Sequence, residues 1–226
     1  MEDGLRAVRE RTLSVQALPL PDNGRMIALA CSAPRASELI ADAHGGGAAT
    51  VAADNSPTAS IVSATTPVAD ALVRVAEASG IEARVLDVSH AYHSPIIGDA
   101  RARYEDVLTT LTFRPPTREI VSTITGNSIR ALPSARYPKL LAQQFVQPVR
   151  LRQAIESHYA VGGRVFVECG PKWPLCTYVD DTLQGREHLA LPTLHPKVGE
   201  AEQLQRTLAH LFVLGATSLP ALHTFT

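Results

Sequence analysis

An α/β chain with a small mixed subdomain and a larger-sheet subdomain is predicted by three features of these 226 residues. Short apolar runs alternate with stretches whose apolar residues recur at helical spacing. Gly and Pro fall between the two kinds of segment, where turns need them. Hydrophobic residues make up 45% of the chain, enough for a sizeable core.

Residues 26–31 are an apolar run that reads as a strand, and 34–43 read as a short helix with Pro34 in its first turn. The run Gly45, Gly46, Gly47 ends that helix. Residues 49–53 and 60–64 read as a strand pair joined through Asp54, Asn55, Ser56 and Pro57, which are turn formers. A helix over 67–79 follows, with Val68, Leu72, Val75 and Ala76 on one face and Gly80 at its end, and then a strand over 83–88. The order βαββαβ is the ferredoxin-like arrangement.

Beyond Ser94 a helix of about five turns is expected, carrying Ile97, Ala100, Tyr104, Val107, Leu108 and Leu111 on one face until Pro115 and Pro116 stop it. A strand over 119–125, a helix over 151–159 and a strand over 165–167 come next. Val165, Phe166 and Val167 run without alternation, as in a strand covered on both faces. A helix after Gly170 and Pro171, a strand over 189–194 and a helix over 200–214 complete the chain, the last with Leu204, Leu208, Leu211 and Phe212 in helical register. The expected division is a helical stub over 1–24, the ferredoxin-like subdomain over 25–92, and the C-terminal part of a large subdomain over 93–226. Few strands follow Ser94, so that larger sheet reads as incomplete.

Composition excludes several classes. Lys and Arg total 21 against 22 Asp and Glu, which gives no global reason to expect nucleic acid or an anionic membrane. No apolar run approaches the roughly 20 residues of a membrane helix. Residues 1–11 are charged throughout, without the apolar core of a secretory signal, so a cytoplasmic address is expected. Cys31, Cys169 and Cys176 cannot all pair and form no Cys-x-x-Cys, which points to reduced thiols rather than a disulfide scaffold or zinc site.

The segment His90-Ala91-Tyr92-His93-Ser94 sits between a strand and a helix, a junction where side chains reach a cleft. A neutral imidazole there can take the proton of a hydroxyl at neutral pH and so activate a nucleophile. Two other readings stay open from the residues alone. The histidines could bond only to backbone and water, or Asp87, His90 and His93 could ligate a metal, although in a strand residues three apart face opposite sides.

Several separated segments together resemble the malonyl-CoA:acyl carrier protein transacylase family and its polyketide synthase acyltransferase domains. His90-Ala91-Tyr92-His93 is similar to the family's His-Ala-Phe-His, whose last histidine is the catalytic base, with Tyr92 in place of Phe. Asn55-Ser56-Pro57 through Ile61-Val62-Ser63 resembles its Asn-x-Pro turn and Val-x-Ser-Gly strand, with Ala64 for the glycine. Gln147-Pro148-Val149 resembles its Asn-Pro-Val, next to the backbone carbonyl that orients the base, and 167–171 resembles its Val-Glu-Val-Gly-Pro. Residues 2–11 resemble the helix whose arginine holds the malonyl carboxylate, here Arg11; from the residues alone Arg6, Arg9 and Arg11 also read as one solvated helix face.

The resemblance implies an α/β-hydrolase-like parallel sheet for the large subdomain. It implies an enzyme moving a malonyl or related dicarboxylic acyl group from CoA to an acyl carrier protein, by a Ser-His ping-pong route in polyketide or fatty acid synthesis. His93 would be the base, Arg11, Asn55 and His90 would meet the substrate, and Gln147, Pro148 and Val149 would orient the base. It implies no metal and no tightly bound cofactor: the CoA thioester is substrate and phosphopantetheine arrives on the carrier protein. Neighbouring polyketide synthase domains or a missing N-terminal half are the expected further partners.

The family's Gly-His-Ser-x-Gly elbow has no counterpart, since no Gly-x-Ser-x-Gly occurs in these residues. The chain by itself is therefore expected to be inactive, and a non-catalytic half that docks a partner or an acidic carrier protein, through Arg150 and Arg152, is the alternative. Ser94 and Cys169 are the substitutes considered for the nucleophile, Cys169 otherwise filling a small hydrophobic position. An α/β-hydrolase relative is a further option, against which the βαββαβ insertion argues.

Overall fold

Acidic residues suit a helix start, and Glu2 and Asp3 open α1 (Glu2–Gln16). Most of α1 stays in solvent, and only Ser14 and Val15 near its end are buried. The structure, a computed structural model, describes residues 2–216, which form two compact units divided between Ser157 and His158.

In the first unit β1 (Arg25–Leu29) leads to α2 (Ala33–Asp42), whose entry is fixed by Ser32 accepting from the backbone N–H of Arg35 and by Pro34 in the first turn. The hairpin β2 (Ala49–Ser56) and β3 (Ala59–Ala64) follows, then α3 (Thr66–Ala78) and β4 (Ala83–Val85). The four strands lie in the order β4-β1-β3-β2, all antiparallel, with Ile27 opposite Val62 and Val85. This is the ferredoxin-like connectivity expected from the sequence. Ile27, Leu29 and Val62 from the sheet meet Leu39 of α2 and Leu72 of α3 in one buried cluster. Burying each such side chain stabilises the fold by roughly 1.5–3 kcal/mol relative to leaving it in water.

A second cluster positions the site. Val15 of α1 meets Ile97, Phe145, and Tyr104 and Leu108 of α4 (Ala100–Thr109). The expected five-turn helix is broken: Pro95–Ile97 form a single 3-10 turn capped by the Ser94 hydroxyl, and α4 begins beyond Gly98. The expected strand over 119–125 shrinks to β5 (Val121–Ser122), paired with β6 (Asn127–Ser128) through a turn at Gly126, where φ is +72°. The positive φ is what calls for glycine there, since a Cβ at Gly126 would meet only the side chain of exposed Gln153, which can move aside. After α5 (Tyr137–Ala142) the chain forms β7 (Val149–Arg150), which joins the outer edge of β2 in parallel, Ala53 opposite Val149. This fifth strand extends the four predicted ones.

The helix α6 (Leu151–Ala160) runs across the division into the second unit. There β8 (Val165–Glu168) pairs in parallel with β9 (Leu189–Pro192), and α7 (Pro174–Thr182) contacts both strands. Two expectations fail here. Val167 is 39% exposed, so β8 is not covered on both faces. In α8 (Glu200–Val213) the buried residues are Gln203 and Thr207, which bond to the carbonyl of Pro192, while Phe212 stays open and Leu204, Leu208 and Leu211 are half-buried. A hydrogen-bonded contact to β9 has taken the place of the predicted apolar one. Residues 217–226 of the expected C-terminal part, and Met1 of the stub, lie outside the described residues. Among the described residues no helix is long and apolar enough to cross a membrane.

Candidate active site

The residues 86–94 form a loop rather than the end of a strand, and at His93 the backbone turns left-handed, with φ at +57°. A side-chain-bearing residue held in that region is a strained feature that its surroundings must enforce. Those surroundings are visible. Ala91 donates its N–H to the carbonyl of Asn23 at 2.8 Å, and Gly24 lies so close that a Cβ there would sit 2.7 Å from Ala91 Cβ. The buried Ser63 hydroxyl donates to the Tyr92 carbonyl, from the strand that the sequence motif singled out. Ser94 donates its N–H to Phe145 O at 2.9 Å and its hydroxyl to Ala91 O at 2.6 Å. Ser94 is thus engaged in holding the loop and is not placed as a nucleophile.

His93 lines a cavity of about 140 Å³ together with Thr123, Ile124, Gln144, Gln147 and Pro148. Its Nδ1 is buried. No hydrogen bond of normal geometry reaches that nitrogen, although backbone acceptors of Gln144 and Gln147 are near enough to favour the charged ring electrostatically. Burial outweighs them and holds the imidazole below the usual histidine value of 6.5, with the positive charge of Arg11 acting in the same direction. The ring is therefore neutral at pH 7, as a proton acceptor must be.

The three arginines of α1 separate clearly. Arg6 and Arg9 are exposed, and Arg9 pairs with its neighbour Glu10. Arg11 turns inward: its Nε–H donates to Gln144 Oε1 at 2.8 Å, and its guanidinium carbon lies 5.6 Å from the Tyr92 ring centre and 5.9 Å from that of Phe145. Two aromatic faces within about 6 Å suit a cation. The structure thus brings together Arg11, His93, Gln147 and Pro148 around Gln144, while Val149 anchors the same segment in β7. Gln144 itself was not singled out by sequence, because its partner is 133 residues away.

Other predicted residues stand apart. Asn55 is buried at the end of β2, and His90 is buried with Nδ1 3.0 Å from Ser89 Oγ; neither lines the His93 cavity. Among the described residues no three His, Cys, Asp or Glu side chains gather as a metal-binding set, Asp87, His90 and His93 included. Arg152, one of the two arginines expected to meet a carrier protein, grips Asp54 through Nε at 3.0 and 3.1 Å and Nη2 at 2.9 Å while its side chain stays partly exposed. Cys169 is exposed beyond the end of β8 and fills no hydrophobic position.

The profile of the acyl transferase domain family matches residues 1–218. The chain is similar to the PKS-NRPS hybrid synthetase acdB of Aspergillus candidus, 30% identical over 215 residues that cover 94% of this chain and 8% of that protein. It is similar to the polyketide synthase GfsB of Streptomyces halstedii, 33% identical over 184 residues, 81% of this chain and 3% of that one. The acyltransferase domain from the second module of the salinomycin polyketide synthase superposes with a TM-score of 0.82 at 27% identity, over 95% of this chain and 49% of that one. The malonyl CoA-acyl carrier protein transacylase from Clostridium perfringens shares the fold, with a TM-score of 0.80 at 22% identity, over 96% and 67% of the two chains. The chain thus spans less than a tenth of the two synthases and about half of the salinomycin domain.

Proposed function

The chain is a member of the acyl transferase domain family, and on that premise we propose that it supplies the base and the carboxylate-recognising side of a malonyl-type transfer site. Gln144 at the junction of Arg11 and His93 is the observation that carries this reading: a guanidinium fixed beside a neutral imidazole suits a substrate with a carboxylate at one end and a reacting carbonyl at the other. With Nδ1 buried, Nε2 is the nitrogen left to act.

In this mechanism His93 Nε2 takes the proton of a serine hydroxyl borne outside these residues, which contain no Gly-x-Ser-x-Gly. The serine oxygen bonds to the thioester carbonyl of malonyl-CoA or a similar acyl-CoA. The C–S bond then breaks and His93 returns the proton to the departing CoA sulfur. A carrier-protein phosphopantetheine thiol next gives its proton to His93 and attacks the acyl-serine ester, and His93 reprotonates the serine as it leaves. Arg11 holds the distal carboxylate through both half-reactions. Asn55 and His90, the other residues expected to meet the substrate, lie back from the cavity that His93 lines.

Intact-mass measurement tests this. Incubated with malonyl-CoA alone, the chain stays unmodified; fused to a segment carrying Gly-His-Ser-x-Gly from a polyketide synthase acyltransferase, it gains one malonyl group. In the fusion His93→Ala slows acylation by about 10²–10⁴-fold, and Arg11→Ala abolishes the preference for malonyl over acetyl thioesters. A stable adduct on the unfused chain, or a His93→Ala fusion as fast as its parent, contradicts the reading.

A further inference from the structure

We infer that Gln144 is a positioning residue whose side chain locks the Arg11 guanidinium into one arrangement near His93. The inference rests on the acyl-transfer reading above and adds a specificity role to it.

An arginine can grip a carboxylate along the edge made by Nε and Nη2 or end-on through both Nη groups. With Nε–H bonded to Gln144 Oε1 at 2.8 Å, the first edge is occupied and the end-on pair remains. The guanidinium has no acceptor, so the amide must turn its oxygen toward it, which fixes the Gln144 orientation without ambiguity. The rings of Tyr92 and Phe145 flank the same guanidinium, each the immediate sequence neighbour of a residue in the pair, His93 and Gln144. The long side chain is therefore ordered before a ligand arrives, and binding loses less rotamer freedom.

The chemistry of the partner matters as much as its place. An amide accepts the hydrogen bond while leaving the full positive charge available to a carboxylate. A glutamate at 144 would accept equally well and neutralise that charge. The charge of Arg11 also acts on the His93 ring and on Tyr104. Freeing the guanidinium thus changes the base as well as the carboxylate subsite.

The test uses the ¹⁵N-labelled chain, malonate as probe and acetate as control. In the native chain the Arg11 Nε–H exchanges slowly with water, whereas that of exposed Arg9 exchanges fast. Gln144→Met brings the Arg11 exchange to the Arg9 rate, weakens malonate about tenfold, a change of about 1.4 kcal/mol, and raises the His93 titration midpoint toward that of Arg11→Met. Gln144→Glu restores slow exchange and still weakens malonate, separating the hydrogen bond from the charge. Should the methionine variant not fold, Gln144→Asn, which withdraws the amide by one methylene, gives the same readings. Unchanged exchange, malonate affinity within twofold and an unmoved His93 midpoint in Gln144→Met overturn the proposal. If Arg11→Met leaves malonate binding intact, the carboxylate role of Arg11 fails instead, and exchange and the His93 midpoint still decide on Gln144.

Discussion

Replacing Gly24 by alanine should do more harm than replacing Gly80, although the two glycines share almost the same backbone. Their φ angles are +67° and +69°, so either alanine meets the left-handed penalty of about 1–2 kcal/mol. A Cβ on Gly80 has no atom within 4 Å. One on Gly24 would stand 2.6 Å from Ala64 O and 2.7 Å from Ala91 Cβ. Neither obstacle can swing aside, one being backbone of β3 and the other a stub in the loop before His93. Relief requires β1 and that loop to part, adding an overpacking cost of about 1–3 kcal/mol. Gly80→Ala is therefore expected to cost about 1–2 kcal/mol and Gly24→Ala about 2–5 kcal/mol. Hydrogen exchange at the Ile27, Val62 and Ala91 amides reads both, since these report on β1, β3 and the loop. The Ala91 amide should lose protection in Gly24→Ala alone, because its bond to Asn23 O breaks first. Equal costs for the two variants would show that the close approach of Gly24 to the His93 loop is not what demands glycine there.

Three further outcomes are expected. Ser63→Ala leaves the Tyr92 carbonyl without its donor and should cost about 1–3 kcal/mol in urea unfolding, with broadened His93 resonances; no change in either would remove Ser63 from the support of the loop. Asp22 accepts from the Thr66 N–H and hydroxyl and from Gly24 N–H, and these bonds hold its carboxyl below the model-compound value of 3.8. Because the folded value is the lower one, this stabilisation is present above pH 3.8 and lost as pH falls through the folded value. Wild type and Asp22→Asn should thus differ most at neutral pH and converge in acid, and a gap independent of pH would argue against the linkage. Iodoacetamide should label exposed Cys169 first, while Cys31 and Cys176 react only on unfolding; burial and the neighbouring Glu168 carboxylate push the Cys176 thiol up to about 12.

What the sequence made legible was local. The βαββαβ order followed from Pro34, the glycines at 45–47 and Gly80, since each punctuates a short element with a clear apolar face. The break at Gly98 was hidden because Ile97 and Ala100 keep helical spacing across it while the backbone changes from a 3-10 turn to α-helix. β7 was illegible as a strand, being two residues long and defined only by a partner nearly a hundred positions earlier. The α8 surface misled for another reason: Gln203 and Thr207 gain hydrogen bonds to Pro192 that a hydropathy pattern does not count. At the site His93 and Arg11 were legible as residue types in a motif and on a helix. Gln144 was not, since what distinguishes it from Gln143 is a tertiary contact.

The short pairing of β7 with β2 bears on how the site comes apart. Through Val149 it ties the segment carrying Gln144 and Gln147 to the same sheet from which Ser63 holds the loop of His93. Partial openings that fray α1, or the hairpin of β5 and β6, leave those anchors in place. The histidine and its backing should then lose their geometry together, in one cooperative step with the sheet, rather than drifting apart by degrees. A transplant of residues 143–149 from a relative, made to alter selectivity, would have to preserve the match of Ala53 with Val149, because a slip there would shift the support behind the base while leaving every residue near it unchanged.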